Sequence, residues 1–300
     1  MLVHDYKDGK RLTGKRVIAL GFFDGVHKGH REILSAARRE ADRLSLPCSV
    51  FTFRSEGADF KGDKIYSTEN KLLLLESIGI DEVILADFEK LKEISAEDFV
   101  ERILIAELGC KTALCGEDFR FGKGALGGVS LLKKMSEKLG LGLIIHGEVQ
   151  ADGEKISSSR IKKLLSEGNV KKAAELMGEP FFSVGEVKRG LGLGKSFGFP
   201  TVNTEIEDRE VSLLSGVYKC SCEVNGKTYN ALTNVGVCPT VGERKKHMET
   251  YILGCNEELY GKKIKIKFLD FVRKEKKFES AEQLIMQIKL DINKTFGSEK

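Results

Sequence analysis

Apolar residues in the first half of the chain come in short runs, separated by longer stretches with helical spacing. Arg16-Val17-Ile18-Ala19-Leu20 reads as a buried strand, and residues 28 to 45 read as a helix with Ile33, Leu34, Ala37 and Ala41 on one side. Cys48 to Phe53 predicts a second strand, Lys71 to Ile78 a helix, and Glu82 to Ala86 a third strand. Ala96 to Leu108 follows as a helix with Ser95 as its N-cap. Thr112 to Cys115 and Leu141 to His146 complete the strands, with a helix at Leu131 to Leu139 between them. Strands alternating with helices build a parallel sheet, whose ligands lie beyond the carboxyl ends of the strands. The loops after residues 20, 53, 115 and 148 are therefore the places to look for chemistry.

The pattern changes after Glu179-Pro180. Phe181 to Lys188, Gly216 to Val224, Tyr229 to Val235, Thr250 to Leu253 and Lys263 to Phe271 read as strands, and Asn225-Gly226 marks a hairpin turn. A last helix runs from Ser280 to about Phe296, with Leu284, Ile285, Ile288 and Ile292 as an apolar stripe. These features predict an α/β chain of two domains, 1–178 with a parallel sheet and 179–300 with a small antiparallel β-barrel and a terminal helix.

Composition narrows the function classes. Hydrophobic residues are 41% and charged residues 31% of 300, as in globular chains. The formal charge of +4 is spread over both halves, so neither carries the basic excess of a nucleic-acid binder. No apolar run approaches a membrane span, and the charged start MLVHDYKDGK lacks a secretory h-region. The 7 cysteines include no CxxC pair, which disfavours a zinc site or disulfide framework and favours a reducing cytoplasm. Cys220 and Cys222 fit one face of a strand.

Gly21-Phe22-Phe23-Asp24-Gly25-Val26-His27-Lys28-Gly29-His30 leaves the first strand and opens the first helix. His27 and His30, three apart, share a helical face over an N-terminus that suits phosphates. Gly25 and Gly29 permit close approach to a nucleotide. This HxGH is the signature of the nucleotidyltransferase superfamily, which includes class I tRNA synthetases. The synthetase-like Lys134-Met135-Ser136-Glu137-Lys138 is rejected, because Leu131, Leu132, Met135 and Leu139 place it on an amphipathic helix. Ile156-Ser157-Ser158-Ser159-Arg160-Ile161-Lys162 is the better phosphate clamp, through hydroxyls, backbone N–H groups and basic side chains at a helix start. In Gly116-Glu117-Asp118-Phe119-Arg120-Phe121-Gly122, Asp118 and Arg120 could orient a ribose or phosphate, and Phe119 or Phe121 could pack beneath an aromatic ring.

In the second half, Gly190 to Ser196 fails as a P-loop because position 189 is arginine. Thr201 and Asn203, two apart on extended chain, face one side and offer oxygens to Mg²⁺ and phosphate. Asn234 to Thr240 reads as a rigid turn. Glu249 could accept a proton from a hydroxyl nucleophile.

Together these motifs resemble the prokaryotic bifunctional riboflavin kinase/FMN adenylyltransferase family over nearly the whole chain. GFFDGVHKGH, GEDFRFGKG and ISSSRIKKLL resemble the adenylyltransferase half; GLGLGKSFGFPTVN, NVGVCPTVG, METYIL and FVRKEKKFES resemble the kinase half. The resemblance implies a Rossmann-like nucleotidyltransferase domain, with riboflavin, FMN and ATP as substrates, Mg²⁺ as cofactor and FMN and FAD as products. It implies Glu249 as the kinase base, and Thr201 and Asn203 as ligands of the metal and ATP, beside Gly194 and Lys195. In the first domain it implies phosphate stabilisation by His27 and His30, within a nucleotide site of Gly21, Phe22, Asp24, Gly29, Asp118, Ser158, Ser159 and Arg160. Phe53, Phe121 and Arg273 are the implied flavin contacts. Relatives usually carry Phe-x-Pro-His-Pro after the second strand; here Phe51-Thr52-Phe53 runs into Arg54-Ser55. A kinase with a weakened adenylyl site and a non-catalytic flavin binder are the alternative readings. Oligomeric state stays open.

Overall fold

The computed structural model describes residues 1–55, 63–189, 198–205, 211, 213–237 and 246–297. Contacts divide the chain into two units, Met1–Ser158 and Ser159–Lys300.

The first unit is built on six parallel strands: β1 (Leu2–Asp5), β2 (Arg16–Leu20), β3 (Cys48–Phe53), β4 (Glu82–Ala86), β5 (Cys110–Gly116) and β6 (Gly142–His146). Their order across the sheet is β1-β4-β3-β2-β5-β6. β2 lies in the middle and all five of its residues are buried, as expected for a strand covered on both faces. The chain reverses its direction of travel across the sheet at β2, so the exits of β2 and β5 flank a natural crevice. At the opposite end, Arg16 Nε meets Glu82 Oε2 at 2.9 Å and Ser49 Oγ donates to the same carboxylate at 2.7 Å, tying β2, β3 and β4 together.

Helix α1 (Lys28–Leu44) buries Ile33, Leu34, Ala36, Ala37 and Ala41, the side its spacing predicted. Helix α2 (Thr68–Ser77) begins before the expected Lys71, because the Ser67 hydroxyl accepts from Asn70 N at 3.3 Å and caps it. The expected helix at Ala96 to Leu108 has a π-helical body, α3 (Phe99–Glu107), preceded by a short turn capped by Ser95. Helix α4 (Val129–Leu139) carries Lys134 to Lys138 and precedes β6, so that segment is not a clamp loop.

In the second unit, α5 (Ser158–Ser166, its first residue being the last of unit one) and α6 (Val170–Met177) precede an antiparallel sheet. Its strands are β7 (Phe182–Glu186), β8 (Thr201–Glu205), β9 (Gly216–Val224), β10 (Lys227–Val237), β11 (Lys246–Ile252) and β12 (Lys263–Lys274), in the order β7-β12-β9-β10-β11-β8. An antiparallel bridge between Lys188, just past β7, and Asn203 in β8 joins the two outer strands into the expected small barrel. The Asn225-Gly226 turn connects β9 and β10, with Asn225 and Gly226 at φ 48° and 77°. Of the turn expected over Asn234 to Thr240, the residues up to Val237 are strand, the end of β10, and Cys238 to Thr240 lie outside the described residues. Cys220 and Cys222 are both buried on one face of β9, and burial pushes both thiols up to about 12.

Helix α7 (Ala281–Phe296) ends the chain's described structure. Its Arg273 anchor on β12 donates from Nε to Asp291 Oδ1 and Oδ2 at 3.1 and 2.9 Å, and Nη2 lies 2.8 Å from Oδ2. This two-pronged pair is nearly buried, with Asp291 only 5% exposed.

Candidate active sites

The first site is made by the turn after β2. Phe23 and Val26 hold φ at 52° and 41°, a left-handed region in which a β-branched residue is unusual. Such strain collects where surrounding contacts impose a functional geometry. Gly25 sits at φ 79°, and a Cβ there would come 2.5 Å from Ile65 Cδ1. Asp24 is 5% exposed, and its Oδ1 accepts from Ile65 N at 2.8 Å. Its carboxylate is thus a buried brace for the turn, while its backbone oxygen accepts from Ser158 Oγ at 2.9 Å. That bond brings Ser158 onto the histidine turn.

His27 caps α1, its Nδ1 accepting from His30 N at 3.3 Å. The neutral ring's proton therefore lies on Nε2. The two imidazoles stack with centroids 3.6 Å apart and planes at 15°, and Phe23 meets His30 edge-on at 5.3 Å. A Cβ at Gly29 would lie 3.3 Å from the His27 ring, so the glycine leaves that ring its place. Burial pulls His27 down to about 4, partly opposed by Asp24. Burial, then the neighbouring His27 and Lys71, hold His30 well below its ordinary value. Both rings are neutral at pH 7 and offer N–H groups beside a helix N-terminus, an arrangement that receives phosphate oxygens.

Two cavities open beside this turn. One, of about 360 Å³, is lined by Gly21, Phe22, Phe23, His30, Asp118 and Arg120, among others. The second, of about 410 Å³, is walled by Phe51, Phe53, Phe88, Phe99, Phe119 and Phe121. Gly21, Phe53, Phe88, Phe119 and Arg120 border both. Phe119 and Phe121 stack at 5.6 Å, with Phe121 deep in the core and Phe119 packed against it. Asp118 reaches Lys155 Nζ at 2.8 Å, and the same ammonium lies 3.4 Å from Glu148. Arg54, just past β3, pairs with Asp5 and Asp87.

Gly21, Phe22, Asp24, His27, Gly29, His30, Phe53, Asp118, Phe121 and Ser158 are thus gathered around one crevice of the first unit. Ser159 and Arg160 belong to the first turn of α5 in the second unit. The reading of the sequence missed Lys71, which is 1% exposed beneath the turn, and Lys155. A lysine within a helix gives no signal of burial.

Strand register assembles the second site. Asn203 on β8 stands opposite Glu249 on β11, and Glu249 opposite Asn234 on β10. Asn234 pairs with Val217 on β9, and Val217 with Arg273 on β12. Directly opposed residues point to one face, so Asn203, Glu249 and Asn234 form a polar row. Thr201 lies on the same side, opposite Tyr251, which meets Phe199 edge-on at 5.4 Å. Glu249 is half exposed, with His247 Nε2 3.8 Å from its Oε1. Arg273 is in the row by register, but its guanidinium is engaged by Asp291. Gly194 and Lys195 lie outside the described residues. Asn234, beside Glu249 in this row, was not singled out because its segment read as a turn.

The FAD synthetase family model matches residues 10–160, and the riboflavin kinase model matches residues 177–297. The chain belongs to the bifunctional riboflavin kinase/FMN adenylyltransferase family. Relatives of that name from Haemophilus influenzae and Bacillus subtilis are 30% and 32% identical, over 97% of this chain and 96% and 94% of theirs. The Escherichia coli relative is 33% identical over 92% of this chain and 90% of its own. A crystal structure titled macrolide-efflux protein, from Streptococcus pneumoniae, shares the fold at a TM-score of 0.88 and 29% identity, with both chains covered fully. Efflux is said there of that protein. Among the described residues of this chain, no helix is long and apolar enough to cross a membrane. The chain is a transferase with two activities, riboflavin phosphorylation and FMN adenylylation, with ATP as co-substrate.

One consequence concerns acid stability. His27 titrates near 4 when folded and near its ordinary 6.5 when unfolded. The unfolded chain therefore binds more protons between those values, and the neutral buried ring favours folding fully only above about 6.5. Stability falls as pH drops from about 6.5 to about 4, by on the order of 3 kcal/mol at the limit. Denaturant melts of the parent and of His27→Gln across that range check this. The variant is expected to lose less stability on acidification.

Proposed function

We propose that residues 1–178 form the adenylyltransferase and residues 179–300 the kinase, each with its own ATP site. The observation that carries the first assignment is the aromatic cavity opening beside the stacked histidines. A flat apolar flavin ring suits such walls, among them Phe53 and Phe121. The FMN phosphate then attacks the α-phosphate of ATP. That phosphate is already ionised at neutral pH, so the site needs no general base and works by charge stabilisation. His27 and His30 donate to the ATP phosphates, together with the backbone of Gly29. Gly21, Phe22 and the Asp24-braced turn seat the nucleotide, and Asp118 orients its ribose after exchanging its bond with Lys155. Ser158, Ser159 and Arg160 hold the departing pyrophosphate.

In the kinase, Glu249 accepts the proton of the riboflavin 5′-hydroxyl as it attacks the γ-phosphate of ATP, the bond to the β-phosphate breaks and ADP leaves. Thr201 and Asn203 supply hard oxygen donors on the face that carries Glu249, a donor set that suits Mg²⁺. When bound, Mg²⁺ offsets the charge of the triphosphate. Gly194 and Lys195 complete the ATP contacts. Arg273 borders the riboflavin pocket as a positioning residue, aimed by Asp291. Buried free thiols fit a reducing compartment, and we assign the protein to the cytoplasm.

Chromatography of reactions started separately from riboflavin and from FMN, with ATP and Mg²⁺, tests these assignments. FMN followed by FAD is expected from the first, FAD from the second, and neither product once a chelator has removed the metal. FMN accumulating without FAD would leave only the kinase; product formation undiminished by chelator would remove Mg²⁺.

A further inference from the structure

Lys71 has no role in the chemistry above, yet it is the most buried lysine of the described chain, at 1% exposure. Lysine is almost never so deeply placed unless its ammonium is held by partners. Here Nζ donates to Phe53 O at 2.6 Å, to Phe22 O at 3.3 Å and to Thr52 Oγ1 at 3.4 Å. The Thr52 hydroxyl donates in turn to Phe22 O at 2.8 Å. The ammonium also lies 4.5 Å from the centre of the Phe22 ring. These contacts join three separate pieces of chain: α2, the end of β3, and the turn that carries His27 and His30. Phe22 lines the cavity beside the histidines, and Phe53 lines both cavities.

We propose that Lys71 is a positioning residue for FMN adenylylation, pinning the Phe22 and Phe53 carbonyls so that the aromatic wall and the histidine turn keep a fixed spacing. An apolar side chain would fill the same space as well and avoid the burial of a charge. What it could not do is hold two backbone carbonyls, one from the histidine turn and one from the end of β3, at one point. The benefit falls where two substrates must be aligned, since small misplacements there cost rate steeply. The side chain touches no substrate in this account. It acts through Phe53 on the flavin wall and through Phe22 on the nucleotide side.

This inference rests on FMN adenylylation running in residues 1–178, which FAD formation from FMN by the parent and its loss in a His30 variant test separately. Full-length Lys71→Met and Lys71→Arg proteins are assayed with FMN and ATP varied in turn, with riboflavin phosphorylation measured on the same samples. For Lys71→Met, kcat for FAD formation is expected to fall about 100-fold and KM for FMN to rise about tenfold, while kinase rates stay at the parent level. A simple loss of folded molecules would lower kcat and leave KM where it was. Should Lys71→Met not fold, Lys71→Arg carries the test: its planar group cannot seat at the same point, and KM for FMN rises at least threefold. An unchanged KM for FMN in whichever variant folds overturns the proposal.

Discussion

Purified His30→Ala protein is expected to convert riboflavin to FMN at the parent rate and to form FAD at least about 100-fold more slowly, the scale seen when one preorganised donor to a developing charge is removed. The ring it removes lies against His27 at 3.6 Å and against Phe23 at 5.3 Å, within the cavity that also holds Asp118 and Arg120. Its backbone N–H, which His27 accepts, remains in the variant, so the helix cap survives. The variant therefore loses the imidazole and keeps the turn. The polar row of Asn203, Glu249 and Asn234 belongs to the other unit and keeps its strand register. Coupled assays of the two products, with a thermal melt to confirm folding, check this. FAD formation within threefold of the parent would remove His30 from the chemistry.

Glu249→Gln is expected to show the opposite pattern. The amide keeps the size and polarity of the side chain at a half-exposed position, so folding is unaffected. It cannot take the proton of the 5′-hydroxyl, and FMN formation should fall by about 10²- to 10⁴-fold. FAD formation from supplied FMN should continue at the parent rate. A Glu249→Gln enzyme that phosphorylates riboflavin normally would leave the polar row without a base.

Much of this architecture is legible in the sequence for a physical reason. Buried parallel strands need continuous apolar runs, and β2 and β4 show them over Val17 to Leu20 and Val83 to Ala86. The histidine site is legible because a strand exit, glycines and a three-residue spacing coincide. Other elements are carried by tertiary pairing. β1 leaves Leu2 and Val3 largely exposed and becomes a strand by pairing with β4, so it has no burial pattern to read. β8, with the sequence Thr-Val-Asn-Thr-Glu, is held by β11 and has no apolar run. In α2 the buried Asn70 and Lys71 interrupt the apolar period, which hides the first turn of the helix. The pairing of Arg273 is not legible in the sequence, because its partner Asp291 lies on a different element. The aromatic cavity draws Phe51, Phe53, Phe88, Phe99, Phe119 and Phe121 from separate segments, and only the fold brings them together.

Mixing the two inactivated proteins tests the central claim of two independent sites most directly. His30→Ala alone should stop at FMN, and Glu249→Gln alone should leave riboflavin unconverted. Combined in one tube with ATP and Mg²⁺, they should carry riboflavin through to FAD, because FMN released by the first is adenylylated by the second. A mixture that forms no FAD, from two folded proteins that each retain their surviving activity, would contradict the account.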